Sequence, residues 1–229
     1  MSIRRWQPKT AVLLHVFDCR LTQEEWFRVM WGTPALPGRI PTAVAAALES
    51  SAEVLLVFRD KFCYMPEPDG RNEAEVIHDT LFGNFDKLTE FASSFPVFGH
   101  FIPEDIRQVM SIFRISDRYV VNTDDEVREA LPILKEMGIE HVVFVSSFDH
   151  ISRVAQRVGE FWAGEPLASN SSFRPAPALH SGGSMKDVIV MEPSIVRALW
   201  LVHPKRLLGL RGNPEALARV DVVLSEVGV

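Results

Sequence analysis

His141-Val142-Val143-Phe144-Val145-Ser146-Ser147-Phe148-Asp149-His150-Ile151-Ser152-Arg153 is the stretch on which the fold turns. Its first half, residues 141–145, is a short β-branched and aromatic run without alternation, the pattern of a strand buried on both faces. Its second half opens a helix over 150–162, because Ile151, Val154, Ala155, Val158 and Phe161 recur at helical spacing. Between the two lie Ser146, Ser147, Asp149 and His150, more polar groups than a simple cap requires.

Other apolar runs lie on either side, with no internal repeat. Residues 11–17, 53–58 and 187–191 are further short apolar runs, and 118–121 is a weaker one. Helical patterns fall between them. Residues 42–50 are alanine-rich, and 73–92 place Ala74, Ile77, Leu81, Phe85, Leu88 and Phe91 on one stripe. Residues 123–137 do the same with Val127, Ala130, Leu131, Leu134 and Met137, although Pro132 should kink that helix. Strands alternating with helices predict an α/β, Rossmann-like fold, a mostly parallel sheet covered on both faces. Residues 168–184 are rich in Ser, Pro and Gly and read as a loop, either a lid or a plain connection. We therefore expect one α/β domain over 1–229. Its core lies at about 10–165, and a strand and helices follow over 187–229.

The totals narrow the function classes. The chain has 229 residues, 47% apolar and 24% charged, the balance of an ordinary globular protein. A formal net charge of -6 disfavours a nucleic-acid partner. No apolar run approaches the roughly 18 residues of a spanning helix, so no membrane partner is expected. Two cysteines, Cys19 and Cys63, are too few for a disulfide scaffold, and the expected location is cytoplasmic.

In parallel sheets ligands bind beyond the carboxyl ends of the strands. At the end of the 141–145 run, serine hydroxyls and the N–H groups of a helix N-terminus make a ready anion site. His150 and Arg153 share a helical face, continued by Arg157, where the guanidinium can hold a phosphate or carboxylate and the imidazole can move protons. The plainer alternative has Ser147 or Asp149 as an N-cap and Arg153 as a solvated surface residue. Asn122-Thr123-Asp124-Asp125-Glu126 follows the weaker run; Thr123-x-x-Glu126 reads as a capping box, which leaves Asn122 for a ligand. Gly70-Arg71-Asn72-Glu73 opens the long helix with Asn72 as cap. Glu73 is either a first-turn acid or a ligand-facing carboxylate. After the first run come His15 and Asp18; His15 reads as a core histidine and Asp18 as the better site candidate. Arg39 follows, next to Gly38. No glycine-rich dinucleotide turn, phosphate loop, His-Glu-x-x-His or Gly-x-Ser-x-Gly is present, and no spacing demands a metal.

These segments, over roughly residues 10–160, resemble the YdcF/SanA/ElyC-like family. The resemblance is carried by Arg39, by Gly70 with Asn72-Glu73-Ala74, by Asn122-Thr123, and by Ser146-Ser147-x-x-His150-x-x-Arg153. Where the family has a glycine-rich turn after its first strand, this chain has His15-Val16-Phe17-Asp18. The resemblance implies a Rossmann-like fold with a pocket at the strand carboxyl ends, and it brings S-adenosylmethionine into view as a cofactor. The leading expectation is a small-molecule enzyme acting on a nucleotide-like or other anionic substrate. In it His150, Glu73 and Asp149 do the chemistry, and Asp18, Arg39, Asn122, Thr123, Ser146, Ser147 and Arg153 bind. A non-catalytic module holding S-adenosylmethionine or a nucleotide is the second expectation. A hydrolase with a metal on Asp18, Asp149 and His150 is the third.

Overall fold

The apolar runs at 11–17, 53–58 and 141–145 do pair side by side. A computed structural model describes residues 8–16, 23–60, 71–100, 103–148 and 150–178. In chain order its elements are β1 (Thr10–Leu14), α1 (Gln23–Met30), β2 (Gly32–Thr33), β3 (Leu36–Pro37), α2 (Arg39–Glu49), β4 (Val54–Asp60) and α3 (Glu73–Gly83). Two 3-10 segments follow, Phe85–Ser93 and Pro96–His100. Then come α4 (Pro103–Ile112), β5 (Phe113–Val120), α5 (Thr123–Glu136), β6 (His141–Ser147), α6 (Ile151–Phe161), α7 (Pro166–Ser169) and β7 (Ser171–Ala176). Five strands form one sheet in the order β5-β4-β1-β6-β7, and every neighbouring pair is parallel. β2 and β3 make a separate antiparallel ribbon. The fold is α/β and Rossmann-like.

The strand order fixes where a crevice must open. From β1 the chain builds outward to β4 and β5, then returns to place β6 on the other side of β1. The connections on the two sides of this reversal diverge, so the carboxyl ends of β1 and β6 mark the switch point of the sheet.

Strand parity decides which face each residue serves. Val12, Leu14, Leu55, Val57, Val143 and Val145 pack in one core with Ile40, Ala43 and Ala47 of α2 and with Trp26, Ile77 and Leu81. Ala11, Leu13, Leu56, Phe58, Val142 and Phe144 pack in the other with Val127, Ala130 and Leu134 of α5 and Val154 and Val158 of α6. Both cores are apolar up to the ends of the strands. The residues just beyond are polar, and parity has already assigned their sides.

Several expectations need correction. The stretch 168–184 is not a loop throughout, because Ser171–Ala176 is the edge strand β7. Its sequence, with Ser171, Arg174 and Pro175, lacks an apolar run because an edge strand buries little and tolerates proline. The helix expected over 73–92 stops at Gly83 and continues as 3-10 turns after Asn84. The weak run at 118–121 is only the end of β5, which begins at Phe113 and alternates with charges as the opposite edge. Pro132 does lie inside α5, as the reading over 123–137 has it. The strand expected over 187–191 and the helices after it lie outside the described residues.

Candidate functional site

At the carboxyl end of β1, His15 inherits the parity of Ala11 and Leu13 and so points to the α5/α6 side. It is fully buried. Its Nδ1 lies 2.6 Å from Oε2 of Glu126, a residue of the first turns of α5 and itself buried. The other oxygen, Oε1, accepts the backbone N–H of Val16 at 3.1 Å. The imidazole stacks on Phe144, centroids 5.9 Å apart. Among the described residues His15 Nε2 is buried and has no hydrogen-bond partner. Such an orphaned polar atom costs about 1–3 kcal/mol, which a bound donor would recover.

At the end of β6, Ser146 shares the parity of Phe144 and faces the same side. Its Oγ lies 2.8 Å from His150 Nδ1. Thr123 Oγ1 lies 3.0 Å from His150 Nε2. The His150 and His15 rings meet edge to face at 6.2 Å. Burial drives the His150 pKa well below 6.5, and the positive charges of Arg39 and Arg153 push it the same way. His150 is therefore a neutral imidazole at pH 7. One of its nitrogens donates to a hydroxyl and the other accepts from one.

Ser147 has the opposite parity and faces α2. There Arg39, the first residue of α2, donates from Nε to Ser147 Oγ at 2.7 Å. Its Nη1 donates to the carbonyls of His15 at 3.0 Å and Val16 at 2.6 Å. Arg39 is 1% exposed and thus ties the ends of β1 and β6 together from below. Gly38 permits this approach: a Cβ there would stand 2.5 Å from the backbone of Met30.

Structure and sequence part company over the start of α5. Asn122 is the N-cap, exposed, with its side chain accepting the Asp125 N–H at 3.0 Å. Its side-chain oxygen is taken up by this cap. Thr123 and Glu126, read as a capping box, instead turn inward to His150 and His15. A cap one residue earlier rotates both by about 100° around the helix axis. Ser147 is not a cap of α6 either. His150 occupies that position, and its side chain makes no capping bond to the helix.

Glu73 is fully buried at the start of α3, where Trp26 Nε1 donates to its Oε1 at 2.8 Å. Its backbone N–H bonds Asp60 Oδ1 at the end of β4, and Asn72 caps the helix in a capping box with Glu75. Glu73 thus belongs to a second polar cluster one strand away from the histidines. Arg153 is exposed on the first turn of α6. Arg157 does not continue its face as a ligand site, because it pairs with Asp124 at 2.8 Å and Glu160 at 2.5 Å. Asp18, Asp149 and Gly70 lie outside the described residues.

The residues brought together are therefore Arg39, Thr123, Ser146, Ser147 and His150, joined by His15 and Glu126. The last two were set aside in the sequence. The signal for them was present: a histidine closing an apolar strand and an acid one turn into the helix after the β5 edge. Among the described residues no group of three or more His, Cys, Asp or Glu side chains could hold a metal ion. No helix among them is long and apolar enough to cross a membrane. A cavity of about 310 Å³ lies beside Arg114, Asp117 and Glu136. Another of about 260 Å³ lies beside Glu49, Ser50 and Phe173. Neither includes a residue of this cluster. No protein-family model, curated protein or solved structure matches the chain.

Proposed function

We propose that the chain is a small-molecule enzyme acting on an anionic substrate, nucleotide-like in its phosphate or carboxylate group, held at the β1/β6 switch point. The observation that carries this reading is His150. It is a neutral imidazole inserted between two hydroxyls at the switch point, the position where open parallel sheets generally bind ligands. An imidazole kept neutral near pH 7 is ready to accept a proton and to return it. The N-terminus of α6, uncapped by the His150 side chain, and the exposed Arg153 beside it supply the attraction for an anion. Arg39 and Ser147, two residues that carry the resemblance to the YdcF/SanA/ElyC-like family, are hydrogen-bonded to each other here. That supports kinship with the family and makes S-adenosylmethionine a ligand worth testing beside nucleotides and sugar phosphates.

The test is a thermal-shift screen of the full chain against such a panel, followed by product analysis of any ligand that binds. Arg153→Ala is expected to abolish the shift given by the best ligand. His150→Ala is expected to keep binding within a few-fold while removing turnover. Both activities surviving in both folded variants would sink the proposal. A ligand bound tightly but recovered unchanged after long incubation would make the protein a binding module instead.

A further inference from the structure

The pair formed by His15 and Glu126 is not explained by the reading above, and its geometry is specific. Both side chains are buried, Nδ1 faces a carboxylate oxygen at 2.6 Å, and the second carboxylate oxygen is fixed by the Val16 N–H. A carboxylate only accepts, so Nδ1 carries a proton, and in the neutral ring the lone pair is on Nε2. That lone pair is the buried atom with no partner among the described residues. It lies on the His150 side of the sheet, at the end of β1, the strand beside β6.

We propose that Glu126 and His15 form the proton-accepting dyad of this site, and that its ligand carries a hydroxyl or N–H donor alongside its anionic group. The inference rests on the ligand site proposed above and assigns the acid–base step within it. The donor on the ligand gives its proton to His15 Nε2; the X–H bond breaks, the Nε2–H bond forms, and the electron pair stays on X. Glu126 holds the resulting imidazolium through Nδ1–H, as a carboxylate orients and stabilises a histidine in hydrolase triads. His150, beside the dyad and hydrogen-bonded to Thr123 and Ser146, is next in line to pass that proton on.

The experiment is nitrogen-detected NMR of the full chain labelled in its histidines. Without ligand, the His15 signals are expected to show a protonated Nδ1 and a bare Nε2. Glu126→Gln, which keeps an acceptor for Nδ1–H but removes the charge, should keep this tautomer. Glu126→Ala should shift the ring toward the Nε2–H form. Two probes are then titrated: sulfate, an anion without a proton donor, and glycerol 3-phosphate, an anion with hydroxyls. Both should perturb His150, and only glycerol 3-phosphate should move His15 Nε2. His15→Gln, whose amide can still donate to Glu126, should erase at least a tenfold preference for glycerol 3-phosphate over sulfate. A protonated Nε2 in the free protein overturns the proposal. So does a His150 response with a silent His15, which would leave the anion site standing and make the dyad a structural pair. Silence at both histidines overturns the dyad and the anion site together.

Discussion

His150 is held neutral by its surroundings, and that has a measurable consequence for stability. Its folded-state pKa lies well below 6.5, while in the unfolded chain it returns to about that value. Below pH 6.5 the unfolded state therefore binds a proton that the folded state refuses. Stability is full above that pH and falls as the pH drops through the window toward the folded pKa, by up to about 1.4 kcal/mol per pH unit. His141, whose pKa burial also lowers, adds to the same slope. Urea unfolding of the wild type and of His150→Gln at pH 7.5 and 5.0 checks this, and the variant should lose less stability between the two. Glu126 is the costlier residue to remove. Its loss leaves the His15 Nδ1–H and the Val16 N–H buried without an acceptor, so Glu126→Ala should cost about 3 kcal/mol at pH 7 by the same measurement. The importance of this residue was not legible in the sequence, because Thr123-x-x-Glu126 spells a capping box and Asn122 in front of it spells a cap equally well. Only the position of the first helical turn against the sheet decides between them. His15 was hidden for a related reason. A histidine in an apolar strand reads as core, and core it is, except that its Nε2 has no partner among the described residues.

Among the elements, α2 and α5 set the geometry of the site through their starting points. α2 begins with Arg39 against the ends of β1 and β6, because Gly38 lets the chain pass within van der Waals range of the Met30 and Trp31 backbone. Gly38→Ala requires backbone to move, so it should destabilise by about 1–3 kcal/mol and weaken anion binding by displacing Arg39. Thermal unfolding and ligand titration read the two effects separately. α5 offers the matching control. Asn122→Ala removes a cap and should cost about 1 kcal/mol, with the His15 and His150 ring signals unchanged, since among the described residues Asn122 bonds only its own helix. The central elements were the legible ones. β1, β4 and β6 are buried on both faces and so consist of apolar residues, whose runs announce them. The edges β5 and β7 carry Arg114, Asp117, Arg118, Arg174 and Pro175, the residues that keep edges from pairing with other chains, and these erase the pattern that sequence reading uses. The β2/β3 ribbon and α1 were missed because they are short, α1 being marked by no more than Trp26, Val29 and Met30 at helical spacing.

For the molecule as a whole, electrostatics pull in two directions. The chain carries a net charge of -6, which repels an anion at long range. The switch point gathers the opposite sign: Arg39, Arg153 and the N-terminus of α6 stand there, and the acids of the neighbouring α5 are spent on local partners. Asp125 accepts the Val121 N–H, Asp124 pairs with Arg157, and Glu126 holds His15. Attraction at the site must therefore act over short distances, within a few ångströms of Arg153 and the α6 amides. Salt at 0.15 M screens beyond about 8 Å and so removes most of the long-range repulsion while sparing the short-range attraction. Anion affinity at this site should fall less than tenfold between 20 and 150 mM salt, against the steep loss expected for a broad cationic surface. A ligand present at 100 times its Kd adds about 2.7 kcal/mol to the folded state. For a chain of this size that raises Tm by roughly 5–11 °C. Arg153→Ala should remove most of that rise. It should leave the ligand-free Tm within about 2 °C of wild type, because Arg153 is exposed and bonds nothing among the described residues. A variant that lowers the ligand-free Tm as much as it lowers the ligand-induced rise would place Arg153 in the fold rather than in the site.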